Sequence, residues 1–148
     1  MREILFKAKR LDNGEWVEGF CVNISNKHLY IFTGKLDISN GYLDLEKYSV
    51  GPKTLCQYTG LTDKNKNKIW ENDVVFCKQY IGGNQIDYHI EKGYVEMKHG
   101  AFGLHRLKTD AYYRPFKDWL EGYEYEVIGN IFDNPELLEK NKALERMG

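Results

Sequence analysis

Two carboxylates flank one asparagine in Glu71-Asn72-Asp73, a spacing that could serve general acid–base chemistry or hold a cation. The turn offers too few local oxygen ligands for a hard cation, and an Asp ahead of a strand commonly closes its own turn by accepting backbone N–H groups. We therefore read it as a structural turn. The four histidines, His28, His89, His99 and His105, show no metal-ligand spacing. Cys21, Cys56 and Cys77 contain no C-x-x-C pair and lie in apolar or alternating stretches, as buried reduced thiols do. There is no G-x-S-x-G, and Gly82-Gly83 lacks the Lys-Ser/Thr and the helix of a phosphate loop. No catalytic, cofactor-binding or metal-binding residue is assigned and no cofactor is expected. An enzyme would need a site assembled from scattered His and Asp, and is the weakest of three functional alternatives.

Two other groups suit binding rather than catalysis. Lys64, Lys66 and Lys68 alternate with Asn ahead of Trp70, a basic loop beside an aromatic ring that could hold single-stranded nucleic acid. Glu71, Asp73 and Asp63 dilute that field, so this is the second alternative. Tyr112, Tyr113, Arg114, Phe116 and Trp119 combine the residue types that anchor protein interfaces. They are the candidate contacts to a partner or a second subunit, and they also suit the closing of one end of a barrel. The leading expectation is a non-enzymatic, self-associating interaction module. Its partners would be its own copies and another protein.

The composition supports a folded, cytoplasmic protein. The formal net charge is −1, which excludes a wholly basic nucleic-acid coat. No apolar run approaches the roughly 20 residues of a membrane span, and the charged start is no signal peptide. Aromatic residues make up 14%, which favours β structure. At 148 residues the chain suits a single domain.

The elements follow from alternation and turns. Residues 3–9 and 15–22 form a hairpin about Asn13-Gly14, with Trp16, Phe20 and Val22 on one face. Further strands are expected at 28–32, about 42–45, 54–59, 74–77, 92–98, 101–107 and 125–132. Gly129 marks a bulge or close approach. Residues 117–120 suggest one helical turn. Asp133 or Asn134 caps, and Pro135-Glu136 starts, a terminal helix of about 135–146, with Leu137, Leu138 and Leu144 as its apolar stripe.

Two long motifs carry a resemblance. They are Gln57-Tyr58-Thr59-Gly60-Leu61-Thr62-Asp63-Lys64-Asn65 through Ile69-Trp70-Glu71-Asn72-Asp73-Val74-Val75, and Tyr125-Glu126-Val127-Ile128-Gly129-Asn130-Ile131-Phe132-Asp133-Asn134-Pro135. With Arg2–Ala8 and Trp16–Gly19 they resemble the YopX family of phage and prophage proteins. The resemblance implies an all-β fold, an SH3-like small barrel or roll here followed by the C-terminal α-helix, and a bacterial host cell. It implies no activity. The family usually has Gly where this chain has Lys66, and often Gly where it has Asn72. Asn tolerates a left-handed backbone, so Asn72 should keep its turn. Lys66 suggests that the first turn has moved its left-handed residue to Asn65 or Asn67.

Overall fold

The computed structural model describes residues 3–25, 28–37, 41–82, 86–108, 113–116 and 122–139. Its regular structure is β-strands and two 3-10 turns, with no α-helix among the described residues. The chain divides into two compact units, Met1–Gly60 and Leu61–Gly148.

The first unit holds β1 (Phe6–Lys9), β2 (Trp16–Ser25), β3 (His28–Asp37), β4 (Tyr42–Val50) and most of β5 (Cys56–Thr62). They form an antiparallel sheet in the order β4-β3-β2-β1-β5. The predicted hairpin is present: Gly14 adopts φ +74° and its N–H returns to the Arg10 carbonyl at 2.9 Å. β2 changes partner midway. Trp16–Gly19 pairs with β1, and Phe20 onward pairs with β3. Gly19 sits at the change, where a Cβ would lie 2.1 Å from the Phe32 carbonyl oxygen. Ala8, Leu29, Ile31 and Val50 form the core, with Phe6, Val17, Cys21, Tyr48 and Leu55 packed around it.

The sheet curls until Val50 meets Arg10 in a single bridge, flanked by Leu11 N–H to the Ser49 carbonyl at 3.0 Å and Gly51 N–H to the Lys9 carbonyl at 2.9 Å. The ladder stops there. Lys9 N–H donates instead to the Thr54 hydroxyl at 2.9 Å, and Pro52–Thr54 turns away as a 3-10 turn. The expected all-β fold is present as two antiparallel sheets, with no closed barrel among the described residues.

The second unit contains β6 (Lys68–Trp70), β7 (Asp73–Tyr80), β8 (Tyr88–Lys98), β9 (Ala101–Arg106), β10 (Tyr113–Pro115) and β11 (Tyr123–Asn130). β7 to β11 form a sheet in the order β10-β9-β8-β7-β11. The β8–β9 turn is His99-Gly100, with φ +53° and +77°, the positive pair a tight hairpin needs. Ile69, Val75, Cys77, Val95, Leu104, Tyr123 and Tyr125 form this core. Cys56 and Cys77 are buried thiols in no disulfide, as expected, while Cys21 is half-buried.

β11 is bulged between Val127 and Gly129. A Cβ on Gly129 would lie 2.5 Å from Asn134 Oδ1 and 2.7 Å from the Leu137 side chain, so this glycine marks a bulge and a close approach together. The terminal helix is corrected. Pro135–Leu138 is a 3-10 turn, and Glu139 returns to extended backbone at φ −71°, ψ 143°. Asn134 does not cap a helix, because its Oδ1 accepts Asn130 N–H at 3.2 Å. Residues 140–146 of the expected helix, and the turn at 117–120, lie outside the described residues.

Candidate interaction surfaces

The lysine loop is organised by Asp63, which is 4% exposed. Its Oδ1 accepts Asn65 N–H at 2.9 Å and Asn67 N–H at 2.8 Å. Its Oδ2 accepts Val127 N–H at 3.0 Å and the Asn67 amide at 3.3 Å. Burial opposes the charge on Asp63. The N–H groups of Val127, Asn67 and Asn65 and the Asn67 amide outweigh that burial and hold the carboxyl below its ordinary range. The loop is pinned to β11 again by Lys64 N–H to the Tyr125 carbonyl at 3.0 Å.

The left-handed residue is not Asn65 or Asn67 but Lys66 itself, at φ +65°. Asp63 fixes the residues on both sides of Lys66, so the strained backbone falls on the position between them. Lys66→Gly should therefore stabilise the protein by roughly 0.5–1 kcal/mol, the left-handed penalty less the entropy of glycine. Urea unfolding would measure it, and a destabilised variant would contradict it. Asn72 takes φ +71° as expected, with its N–H on the Val95 carbonyl at 2.8 Å. Asp73 closes that turn by accepting Trp70 N–H at 2.8 Å.

The structure separates the proposed nucleic-acid contacts. Lys64 pairs with Glu126 at 3.2 Å; that contact, with Glu124 nearby, raises its pKa. Lys66 and Lys68 are exposed. Trp70 is 5% exposed and belongs to the interior, so its ring offers no face to a base. The expected stacking role of Trp70 is therefore corrected.

Of the aromatic segment, Tyr112 and Trp119 lie outside the described residues. Tyr113 and Arg114 stand in β10, opposite His105 and Leu104. Phe116 packs edge-on against Tyr125, with ring centroids 4.9 Å apart, as part of the periphery of the core.

A depression of about 270 Å³ opens on the face of β7, β8 and β11, floored by Phe76 and Ile90 and rimmed by Lys64, Lys78, Glu124 and Glu126. Its rim charges are engaged. Tyr80 Oη donates to Glu124 at 2.9 Å, and Lys78 Nζ lies 4.1 Å from the Tyr88 ring centroid. Elsewhere on this unit Glu96 meets His105 at 3.3 Å, while His105 stacks on Tyr94 at 4.6 Å. Glu91 pairs with Arg106. Among the described residues no three His, Cys, Asp or Glu converge as metal ligands.

The first unit carries a surface that the sequence marked without giving its direction. Trp16, Phe20 and Val22 do share a face of β2, and that face is turned outward. Val17 and Cys21, one residue out of phase, face the core. Phe20 is 63% exposed, Val22 42%, and Ile24, at the bulge between Asn23 and Ser25, 68%. Phe32 and Tyr30 stand opposite Phe20 and Val22 on β3, with Lys47 and Ser49 beyond them on β4. Leu45 adds another exposed apolar side chain. Alternation alone could not say which of two apolar faces would be buried. No membrane-length apolar helix exists among the described residues.

The profile of the family described as "YopX protein" matches residues 5–139. No curated protein matches. A crystal structure of protein EF1440 from Enterococcus faecalis superposes with a TM-score of 0.51 at 22% identity, covering 94% of this chain and 100% of that one. At that identity the likeness is one of fold. With all but its first four and last nine residues inside the matched region, the chain belongs to the YopX family.

Proposed function

We propose that this chain is a non-enzymatic interaction module that associates with itself through the outward face of β2, β3 and β4. One observation carries the reading: Phe20, Val22, Ile24 and Leu45 are large apolar side chains, 42–68% exposed, gathered on one sheet. Scattered apolar residues are normal on a surface, whereas a contiguous patch marks a contact site. The titratable groups support the same reading, because Asp63 and Asp73 close turns and Glu91, Glu96 and Glu126 sit in pairs. The lysine loop supports nucleic-acid binding less, with Lys64 paired and Trp70 interior. In keeping with the resemblance to phage and prophage proteins, the module would work in the cytoplasm of a bacterial host, beside a phage or host protein.

Phe20→Glu tests this. The ring is 63% exposed, so its loss should leave thermal unfolding of the monomer nearly unchanged. Light scattering on the eluting protein should show an oligomer for the natural sequence and a monomer for the variant. A natural sequence that elutes as a monomer at roughly 100 μM, where a dimer with a Kd of about 10 μM or tighter would be mostly assembled, would end the proposal.

A further inference from the structure

Beyond self-association, we infer that the outward face of β1 to β4 binds single-stranded nucleic acid, in competition with a second copy. Bases stack on Phe20 and Phe32, and lysines on either side of these rings hold the phosphates. The two rings are cross-strand neighbours on β2 and β3. Lys47 follows in the same row, opposite Phe32 on β4. On the other side, Lys7 and Lys9 of β1 stand opposite Glu18 and Trp16. Both of those alternate with the core-facing Val17 and so share the outward side of β2 with Phe20.

The charges of this face select an anion. The whole chain carries a formal −1. Here Lys7, Lys9 and Lys47 meet a single acid, Glu18, among the described residues of the face. The lysines are seated beside the phenyl pair by other rings. Lys7 and Lys9 lie 4.7 and 5.4 Å from the Trp16 ring centroid, and Lys47 lies 5.5 Å from that of Tyr30. Cation–π attraction at Trp16 and Tyr30 therefore sets a positive group on each side of Phe20 and Phe32. The spacing selects a single strand. Side chains facing across adjacent strands stand about 5 Å apart, wider than the ~3.4 Å stacked repeat of a duplex. Only splayed bases can each cover a ring at that spacing, which is how aromatic platforms on sheets take single strands. From β4 to β1 is roughly 14 Å, three strand spacings, a distance that a few nucleotides cross.

Fluorescence anisotropy of a labelled deoxythymidine decamer, titrated with the full chain, tests this. Binding should weaken as salt rises, with a log–log slope of about −1.4 to −2.1 for two or three phosphates. Phe20→Leu keeps apolar area but removes the ring and should weaken binding about fivefold, while Phe20→Trp should retain it. Lys47→Glu should weaken it by about tenfold at low salt. Phe20 is 63% exposed and Lys47 is exposed, so these variants should fold. The decamer paired with its complement should bind more weakly than the single strand. Equal affinity for that duplex, or a loss with Lys66→Glu that Phe20→Leu does not share, would overturn the site. Binding to phosphatidylserine vesicles but not to the decamer would assign the face to a membrane and overturn it too. Light scattering separates this inference from self-association. An oligomer that does not bind the decamer removes the inference and leaves self-association standing. A monomer that binds it does the reverse.

Discussion

Asp63→Ala should lower the stability of the second unit by about 3–5 kcal/mol, because it strands donors that one buried carboxylate now satisfies. Three backbone N–H groups and one amide converge on that carboxylate, at 2.8–3.3 Å. One of them, Val127 N–H, lies in β11, so the loss also unfastens the loop from the strand that closes the sheet. Asp63→Asn keeps one accepting oxygen and should cost less. Acid should separate these variants. The folded-state carboxyl lies below its ordinary value of 3.8, so it contributes stability fully above that pH and loses it as pH falls through the depressed value. Urea midpoints followed into acid should therefore drop more steeply for the natural sequence than for Asp63→Asn. Parallel curves would show that the carboxylate charge is not what holds the loop.

Gly19→Ala should be comparably severe, about 3–5 kcal/mol. The obstacle is the Phe32 carbonyl oxygen, 2.1 Å from where the Cβ would lie, and backbone in a sheet cannot step aside as a flexible side chain can. The same residue lies where β2 changes partners from β1 to β3, so relief of the clash means separating β2 from β3. Gly51 is the control. A Cβ there meets nothing nearer than 3.6 Å, and its φ of −73° suits alanine, so Gly51→Ala should be close to neutral. Equal midpoints for the two variants would contradict the argument.

What was legible in the sequence follows physical range. Turns whose constraint is local could be read: Asn13-Gly14, the left-handed Asn72 and the bulge at Gly129. Lys66 was misplaced because its conformation is imposed by Asp63 and, through it, by Val127, 64 residues away along the chain. The terminal helix failed for a related reason. Asn134-Pro135 is a true helical start, but the Asn134 side chain is drawn to the Asn130 N–H and the chain straightens at Glu139, where Lys92 Nζ donates to the Glu139 carbonyl at 3.0 Å. Whether the sheet would close was not legible either, because it depends on contacts such as the Arg10–Val50 bridge and the Lys9 N–H to Thr54 hydroxyl bond, about 40 residues apart along the chain. Trp70 looks available in the sequence because an aromatic residue type does not say which way it points. Phe20 and Val22 were placed on one face correctly, and only the packed sheet shows that this face looks outward.

The place of β11 beside β7 governs how the protein is made as well as how it stands. β1 to β4 join their neighbours in order, through short connections, so the first unit can form most of its sheet from sequential hairpins. In the second unit β7 must wait for β11, which follows β8, β9 and β10 in the chain. Pairings so distant in sequence close slowly, and during synthesis β7 emerges long before its partner. Until then the Val74–Cys77 edge stands open to any other strand, a template for aggregation as much as for folding. Completing a sheet with its last strand should therefore show as slow refolding of the second unit and as losses that rise with protein concentration during expression.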